Sequence, residues 1–279
     1  MRASWERLLA IMTGKLTATL SVAATLPLAA ADGGASARII AHEAGASESE
    51  HWFAVEVTPD PGYHVYYKNP GEMGLPVKLK LENLPEGVTV GDLHYPAPHR
   101  MLTGELATFG YEEPTRFLFP VTFADKDQLP DEPVEAVVTW LSCNDGQCLP
   151  GKVSLSLNFS EPERVDLSPE IAALPQDGSE SWQPELSAIE GDWQLKLQIP
   201  AESKIPAEAH WDLFSETADF IDPATEPTFT REEDQLVVTV PQAEYVDTLD
   251  SEVPVVLHLT GPQPAVKLTL SQKNDESGE

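Results

Sequence analysis

Short runs in which every second residue is apolar, each closed by proline or glycine, recur along most of this chain. They appear at Phe53-Ala54-Val55-Glu56-Val57, Val77-Lys78-Leu79-Lys80-Leu81 and Val153-Ser154-Leu155-Ser156-Leu157. They return at Trp193-Gln194-Leu195-Lys196-Leu197 and Leu236-Val237-Val238-Thr239-Val240. A period of two puts one face of a strand on a core and the other in water, which excludes a helical bundle. Pro59-Asp60-Pro61-Gly62, Asn69-Pro70-Gly71, Leu84-Pro85-Glu86-Gly87 and Gly261-Pro262 read as turns between such strands. The 25 prolines also disfavour long helices. Many short strands at this spacing predict an all-β protein built of β-sandwiches.

The 279 residues allow one large or two small domains, at roughly 100–200 residues per domain. Ser160–Ser181 breaks the strand pattern with Glu161-Pro162-Glu163, then Ser168-Pro169, then Asp177-Gly178-Ser179. Ser168 is a candidate cap for a single helical turn that has Pro169 at its first position. The expected organisation is a first sandwich over 32–160, a connection over 161–181, a second sandwich over 182–272 and a polar tail over 273–279. Val137–Leu141 leading into Lys152–Leu157, and Val255–Leu259 leading into Val266–Leu270, are two strand–turn–strand endings in parallel positions. Only the first carries cysteines.

Residues 1–31 read as a cleaved secretory signal. Arg2, Arg7 and Lys15 are the positive leader, Leu16–Leu28 is a short uncharged stretch, and Ala29-Ala30-Ala31 is a small-residue cleavage pattern. An uncleaved anchor is the rival, but the apolar stretch falls short of the ~20 residues a span needs. The mature chain is expected to be exported, without membrane insertion. With 17 basic against 46 acidic residues it lacks the cationic face that nucleic acid or an anionic membrane would require.

The two cysteines, Cys143 and Cys148, enclose Asn144-Asp145-Gly146-Gln147. In an oxidising compartment they can form a disulfide. A ring this short stabilises by only about 2 kcal/mol, little for a staple. The Asn-Asp-Gly turn marks an exposed loop, open to an incoming thiolate. A redox site, a local staple and a metal site are the three readings. The last is weakest, because two thiolates without nearby partners fall short of four ligands. No Lys, Arg or His flanks the pair in sequence, and Asp145 would raise a thiol pKa. The seven histidines match no metal spacing, and Trp140 reads as a core anchor. No metal or cofactor is expected.

A wider set of motifs runs from about His51 to Phe159. It comprises Gly62-Tyr63-His64-Val65-Tyr66-Tyr67-Lys68-Asn69-Pro70-Gly71, Gly74-Leu75-Pro76, Leu84-Pro85-Glu86-Gly87 and Tyr95-Pro96-Ala97-Pro98-His99-Arg100. Phe109-Gly110-Tyr111-Glu112, Trp140-Leu141-Ser142-Cys143 and Cys148-Leu149-Pro150-Gly151 complete it. In this order the segments resemble the N-terminal periplasmic domain of the thiol:disulfide interchange protein DsbD, including its ScsB-type variant. The resemblance implies two immunoglobulin-like β-sandwich domains, the second by analogy with ScsB-like proteins, and a periplasmic thiol–disulfide oxidoreductase. It implies that Cys148 exchanges with partner proteins and Cys143 resolves. Tyr63 and Tyr66 would surround the site, and Met101 and Leu102 would supply an apolar cap over the sulfurs. The implied partners are a membrane thiol–disulfide relay protein and periplasmic thioredoxin-like proteins. The chain shows no C-x-x-C motif and none of the family's transmembrane relay or thioredoxin-like domains, so either a separately encoded membrane protein reduces it or it has kept the fold and lost the pathway. The competing expectation is a non-enzymatic exported binding or scaffold module whose disulfide only fixes a loop.

Overall fold

The computed structural model describes residues 33–43, 51–125, 129–203, 205–206, 209–244, 252–259 and 264–271. Residues 1–31, read above as a leader, residue 32, the expected turn at Gly261-Pro262 and the expected tail 273–279 lie outside these. The regular structure is nearly all β, with 57% strand against 5% helix.

The first eleven strands are β1 (Ala35–His42), β2 (His51–Pro59), β3 (His64–Gly71), β4 (Lys78–Glu82), β5 (Val88–Val90), β6 (His99–Thr103), β7 (Leu106–Tyr111), β8 (Thr115–Phe123), β9 (Val134–Cys143), β10 (Cys148–Leu157) and β11 (Arg164–Val165). One sheet runs in the order β11-β1-β2-β8-β5, the other β10-β9-β3-β7-β6, with β4 also paired to β9. Phe53, Val55, Val57, Phe117 and Phe119 of the first sheet meet Val65, Tyr67, Val134, Ala136, Val138 and Trp140 of the second in one core. The alternation of β9 aims Val134, Ala136, Val138 and Trp140 inward, so Cys143 falls on the outward face.

Four runs expected to be strands lie in β2, β10, β14 (Asp192–Gln198) and β17 (Gln235–Pro241), and the fifth, Val77–Leu81, lies in β4 from Lys78 onward. Asn69-Pro70-Gly71 is not a turn. It ends β3, whose register against β7 shifts between Tyr66 and Gly71. Gly71 takes φ +85 there. The local signal for a turn is equally a signal for a bulge, and pairing with β7 decides between them.

The segment 161–181 is ordered. Its β11 pairs in parallel with β1. Helix α1 (Ser168–Ala173) brings Ile171 and the flanking Leu167 and Leu174 onto Ile40, Ala54 and Leu118. That cover explains why Ala54 is buried on what would otherwise be the wet face of β2. Pro169 sits in the first turn, but Ser168 is not the cap. Asp166 Oδ1 accepts from the Ser168 amide at 2.9 Å. Strand β12 (Gln176–Asp177) and helix α2 (Ser179–Trp182) then lead into β13 (Glu185–Ile189), β14, β15 (Trp211–Ser215), β16 (Thr228–Glu232), β17, β18 (Val253–Leu259) and β19 (Val266–Leu270). These form sheets β12-β19-β18-β15 and β13-β14-β17-β16. A second core lies between them around Trp193, Leu195, Leu236, Val238, Val255 and Leu268.

The two sandwiches are packed together. Phe214, Val256 and Ala265 join the first core. Phe109 meets Phe214 edge-on at 5.3 Å. Asn69, at the β3 bulge, donates to Ser215 O at 3.1 Å and Thr217 O at 3.2 Å. Glu216 bridges Lys68, at 2.9 Å, and Lys267, at 3.0 Å.

Two partly buried carboxylates hold cations in this frame. Glu56 lies between Arg38 (2.7 Å) and Arg116 (2.8 Å) across β1, β2 and β8. Arg116 also pairs with Glu170 of α1. Burial alone would raise the Glu56 carboxyl, but hydrogen bonds from Arg38 and Arg116 hold it below its ordinary value. Glu216 is likewise raised by burial and brought below its ordinary value by Lys68 and Lys267. A carboxyl depressed in the folded state contributes stability above its unfolded pKa and loses it as pH falls through the folded value. The melting temperature should therefore fall steeply below the ordinary glutamate value of 4.5. Glu56→Gln and Glu216→Gln should each flatten that slope. An unchanged slope in both would exclude these carboxylates as its source.

Candidate functional site: a hairpin disulfide backed by a buried polar row

The strongest turn chemistry in the first half lies between β9 and β10. Asn144 Oδ1 accepts the amides of Gly146 and Gln147, both at 2.9 Å, and the Asn144 amide donates to Gln147 O at 3.0 Å. An asparagine closing its own turn in this way fixes the hairpin register. That register sets Cys143 directly opposite Cys148, with 4.1 Å between their Cα atoms, and the two form a disulfide. The two sulfurs differ in surroundings. Cys143 is fully buried, with β3 on its other side, whereas Cys148 begins the edge strand β10 and is exposed.

The N-terminal end of β1 braces this hairpin. Gly33 O accepts from the Trp140 indole at 3.1 Å and Gly34 O from Ser142 Oγ at 3.0 Å. A Cβ on Gly34 would lie 2.7 Å from the Tyr63 ring and 2.9 Å from Ser142 Oγ, at φ +67, so only glycine fits. The Tyr63 hydroxyl in turn accepts from Gln147 Nε2 at 2.5 Å. Trp140 is buried in the core, as its position before the loop suggested.

On the other flank of Cys143 stands His64, its cross-strand partner on β3. Val65 and Tyr67 point into the core, so His64 and Tyr66 share the outward face with Cys143. His64 Nε2 lies 3.1 Å from Tyr66 Oη and 3.0 Å from Thr103 Oγ1, and Thr103 Oγ1 lies 3.0 Å from Thr108 Oγ1. His64, Tyr66, Thr103 and Thr108 are all buried. Burial lowers the His64 pKa, against the opposing pull of Glu112 and Asp145. Its imidazole is therefore neutral at pH 7 and supplies no cation to a thiolate. Burial raises the Tyr66 phenol.

Tyr63 thus touches the cysteine loop and Tyr66 touches the histidine beside Cys143. Met101 and Leu102 lie on β6, three strands from β9. They line a cleft of about 360 Å³ with Arg100, Trp211, Asp212 and Phe229. Leu102 is 66% exposed. From this hairpin it is Thr103 that reaches the histidine. Sequence reading missed His64 as a site residue because 79 positions separate it from Cys143. Only strand register brings them together. Among the described residues no group of three His, Cys, Asp or Glu side chains is arranged to hold a metal.

The fold and site define a β-sandwich bearing a disulfide with one buried and one exposed sulfur, backed by polar groups. Residues 36–160, which make up most of the cysteine-bearing sandwich, match the family described as "Thiol:disulfide interchange protein DsbD, N-terminal". The fold is shared with the N-terminal periplasmic domain of ScsB from Proteus mirabilis, at 20% sequence identity and a TM-score of 0.61. The likeness covers 86% of this chain and 94% of that one. No curated protein matches the chain. That family is described as one of thiol–disulfide interchange, and the matched residues contain the Cys143–Cys148 disulfide. Among the described residues no helix is long and apolar enough to cross a membrane.

Proposed function

We propose that this protein is a periplasmic thiol–disulfide exchange module that passes reducing equivalents to partner proteins through Cys143 and Cys148. Cys148 is the sulfur that meets partners, and Cys143 resolves the mixed disulfide. The observation that carries this is the asymmetry of the pair, one sulfur on an exposed edge strand and the other sealed beside β3. Exchange requires in-line attack of a thiolate on sulfur, so only the accessible sulfur can take the first step. The family match supports thiol-redox partners in general, and we read a membrane thiol relay as the electron source and thioredoxin-like periplasmic proteins as recipients. We read residues 32–160 as the reactive unit and 182–272 as a second sandwich that braces it.

The reduction potential tests the proposal. A disulfide that only holds a loop sits below about −300 mV, whereas an exchanging pair is more easily reduced. Equilibration of the folded protein with dithiol buffers, read by thiol alkylation, is expected to give a potential above that limit. A pair that stays oxidised until the protein unfolds would leave the scaffold reading in its place.

A further inference from the structure

We propose that His64 is the proton acceptor for the Cys143 thiol in the resolving step, held for that task by the hydroxyl row of Thr103, Thr108 and Tyr66. The proposal rests on the exchange reading above and adds to it the group that activates the resolving sulfur.

Three observations lead to it. First, Cys143 is shut away from water, so its thiol has no solvent base to lose a proton to. Second, His64 is its direct partner across the β3–β9 ladder. Residues so paired project to the same face with Cβ atoms about 4.5–5.5 Å apart, within reach of a sulfur and an imidazole. Third, the far ring nitrogen is engaged, since Nε2 lies at 3.1 Å from Tyr66 Oη and 3.0 Å from Thr103 Oγ1. If Thr103 gives its own proton to Thr108 Oγ1, 3.0 Å away, its lone pair accepts from His64 Nε2–H. Nδ1 then keeps its lone pair. The hydrogen bond at one ring nitrogen sets the tautomer at the other.

The groups around the ring favour this use. Tyr66 adjoins it from β3, Thr103 from β6, Thr108 sits behind Thr103 on β7, and Glu112 and Asp145 act on it from the end of β7 and the cysteine loop. The two acidic groups favour the imidazolium that forms on proton transfer. Burial keeps the resting ring neutral and so able to accept. The same acidic groups disfavour a resting Cys143 thiolate, so a base at the moment of attack gains importance.

The step balances as follows. In the mixed disulfide Cys148 Sγ is bonded to the partner's sulfur and Cys143 carries a thiol. The Cys143 proton passes to His64 Nδ1, and the thiolate attacks Cys148 Sγ. The Cys143–Cys148 bond forms as the Cys148–partner bond breaks. The partner's sulfur leaves with the electron pair and takes up a proton from water, and His64 gives its proton back to solvent. The cysteine pair is oxidised by two electrons and the partner's disulfide, already opened by Cys148, is fully reduced.

The test uses the reduced full-length protein and 5,5′-dithiobis(2-nitrobenzoate) in stopped flow. Attack by Cys148 releases a first thionitrobenzoate, and resolution by Cys143 releases a second. In His64→Gln the ratio of the second rate to the first is expected to fall about a hundredfold or more, since general-base catalysis contributes roughly 10²–10⁴-fold. The wild-type second phase should also lose rate in acid as the imidazole protonates and level off above that bend, whereas in His64→Gln the bend is absent and the rate goes on rising with pH as Cys143 ionises. A second phase unchanged in size and pH profile overturns the proposal. A wild-type protein with no first phase sinks the exchange reading and this proposal with it. Should His64→Gln fail to fold, Thr103→Val decides, because it removes a hydroxyl from Nε2 and leaves the imidazole in place. A moved acid limb, restored by Thr103→Ser, supports the role, and an unmoved limb overturns it.

Discussion

Replacing Cys148 with alanine should abolish capture of partner proteins, whereas replacing Cys143 should make captured partners accumulate. The difference follows from burial. In Cys143→Ala the exposed sulfur at the start of β10 remains free to attack a partner's disulfide, and nothing is left to displace the partner again. In Cys148→Ala the surviving sulfur lies beneath the sheet surface between β10 and β3, where a partner's disulfide cannot align with it. Trapping with an alkylating quench and non-reducing electrophoresis reads both outcomes. Reducible adducts are expected in the first variant and none in the second. Equal trapping by both would show that exposure does not order the two sulfurs. Loss of the cross-link itself should cost little, about 2 kcal/mol by loop-closure entropy, because the ring is short and the Asn144 turn already closes the hairpin.

The largest stability effect is expected from Trp193→Ala in the second sandwich. Trp193 is fully buried, stacks on Phe220 at 5.5 Å between ring centroids, and donates its indole N–H to Phe220 O at 2.8 Å. Removing a side chain of this size from a packed core costs about 3–5 kcal/mol. The damage should not stop at that sandwich. Phe214, Val256 and Ala265 complete the core of the cysteine-bearing half, and Asn69 and Lys68 are tied to the strand that carries Phe214 and its following residues. Denaturant unfolding, followed by tryptophan fluorescence and by accessibility of the disulfide to a dithiol, should show one transition displaced as a whole. Two transitions, with only one displaced, would mean that the halves unfold independently.

Much of this arrangement is written locally in the chain, and the rest is written only in pairing. Alternation at Phe53–Val57 or Leu236–Val240 is a property of five adjacent residues, so the strands could be read directly. The Asn144 turn and the cysteine hairpin were legible for the same reason, and the Tyr63–Tyr66 segment through resemblance. His64 was not, because its proximity to Cys143 is created by the register of β3 on β9. The fate of Asn69-Pro70-Gly71 depended on whether another strand would take up the irregularity, which no local pattern specifies. Placement of Met101 and Leu102 beside Trp211 and Phe229 depends on strand order and on a second sandwich over a hundred residues away. Gly33 and Gly34 gave no sequence signal, since two glycines in a row more often mark a loose end than a brace.

The Asn144 turn also governs what happens to the molecule's shape during turnover. Backbone pairing, not the covalent link, holds Cys143 opposite Cys148. Cutting the link therefore leaves two thiols side by side in a hairpin that has no reason to open. A loaded carrier and a spent one would then look alike to any visiting surface. Discrimination between them would rest on the electrochemistry of sulfur alone, and traffic could run in either direction according to which neighbour holds electrons less tightly.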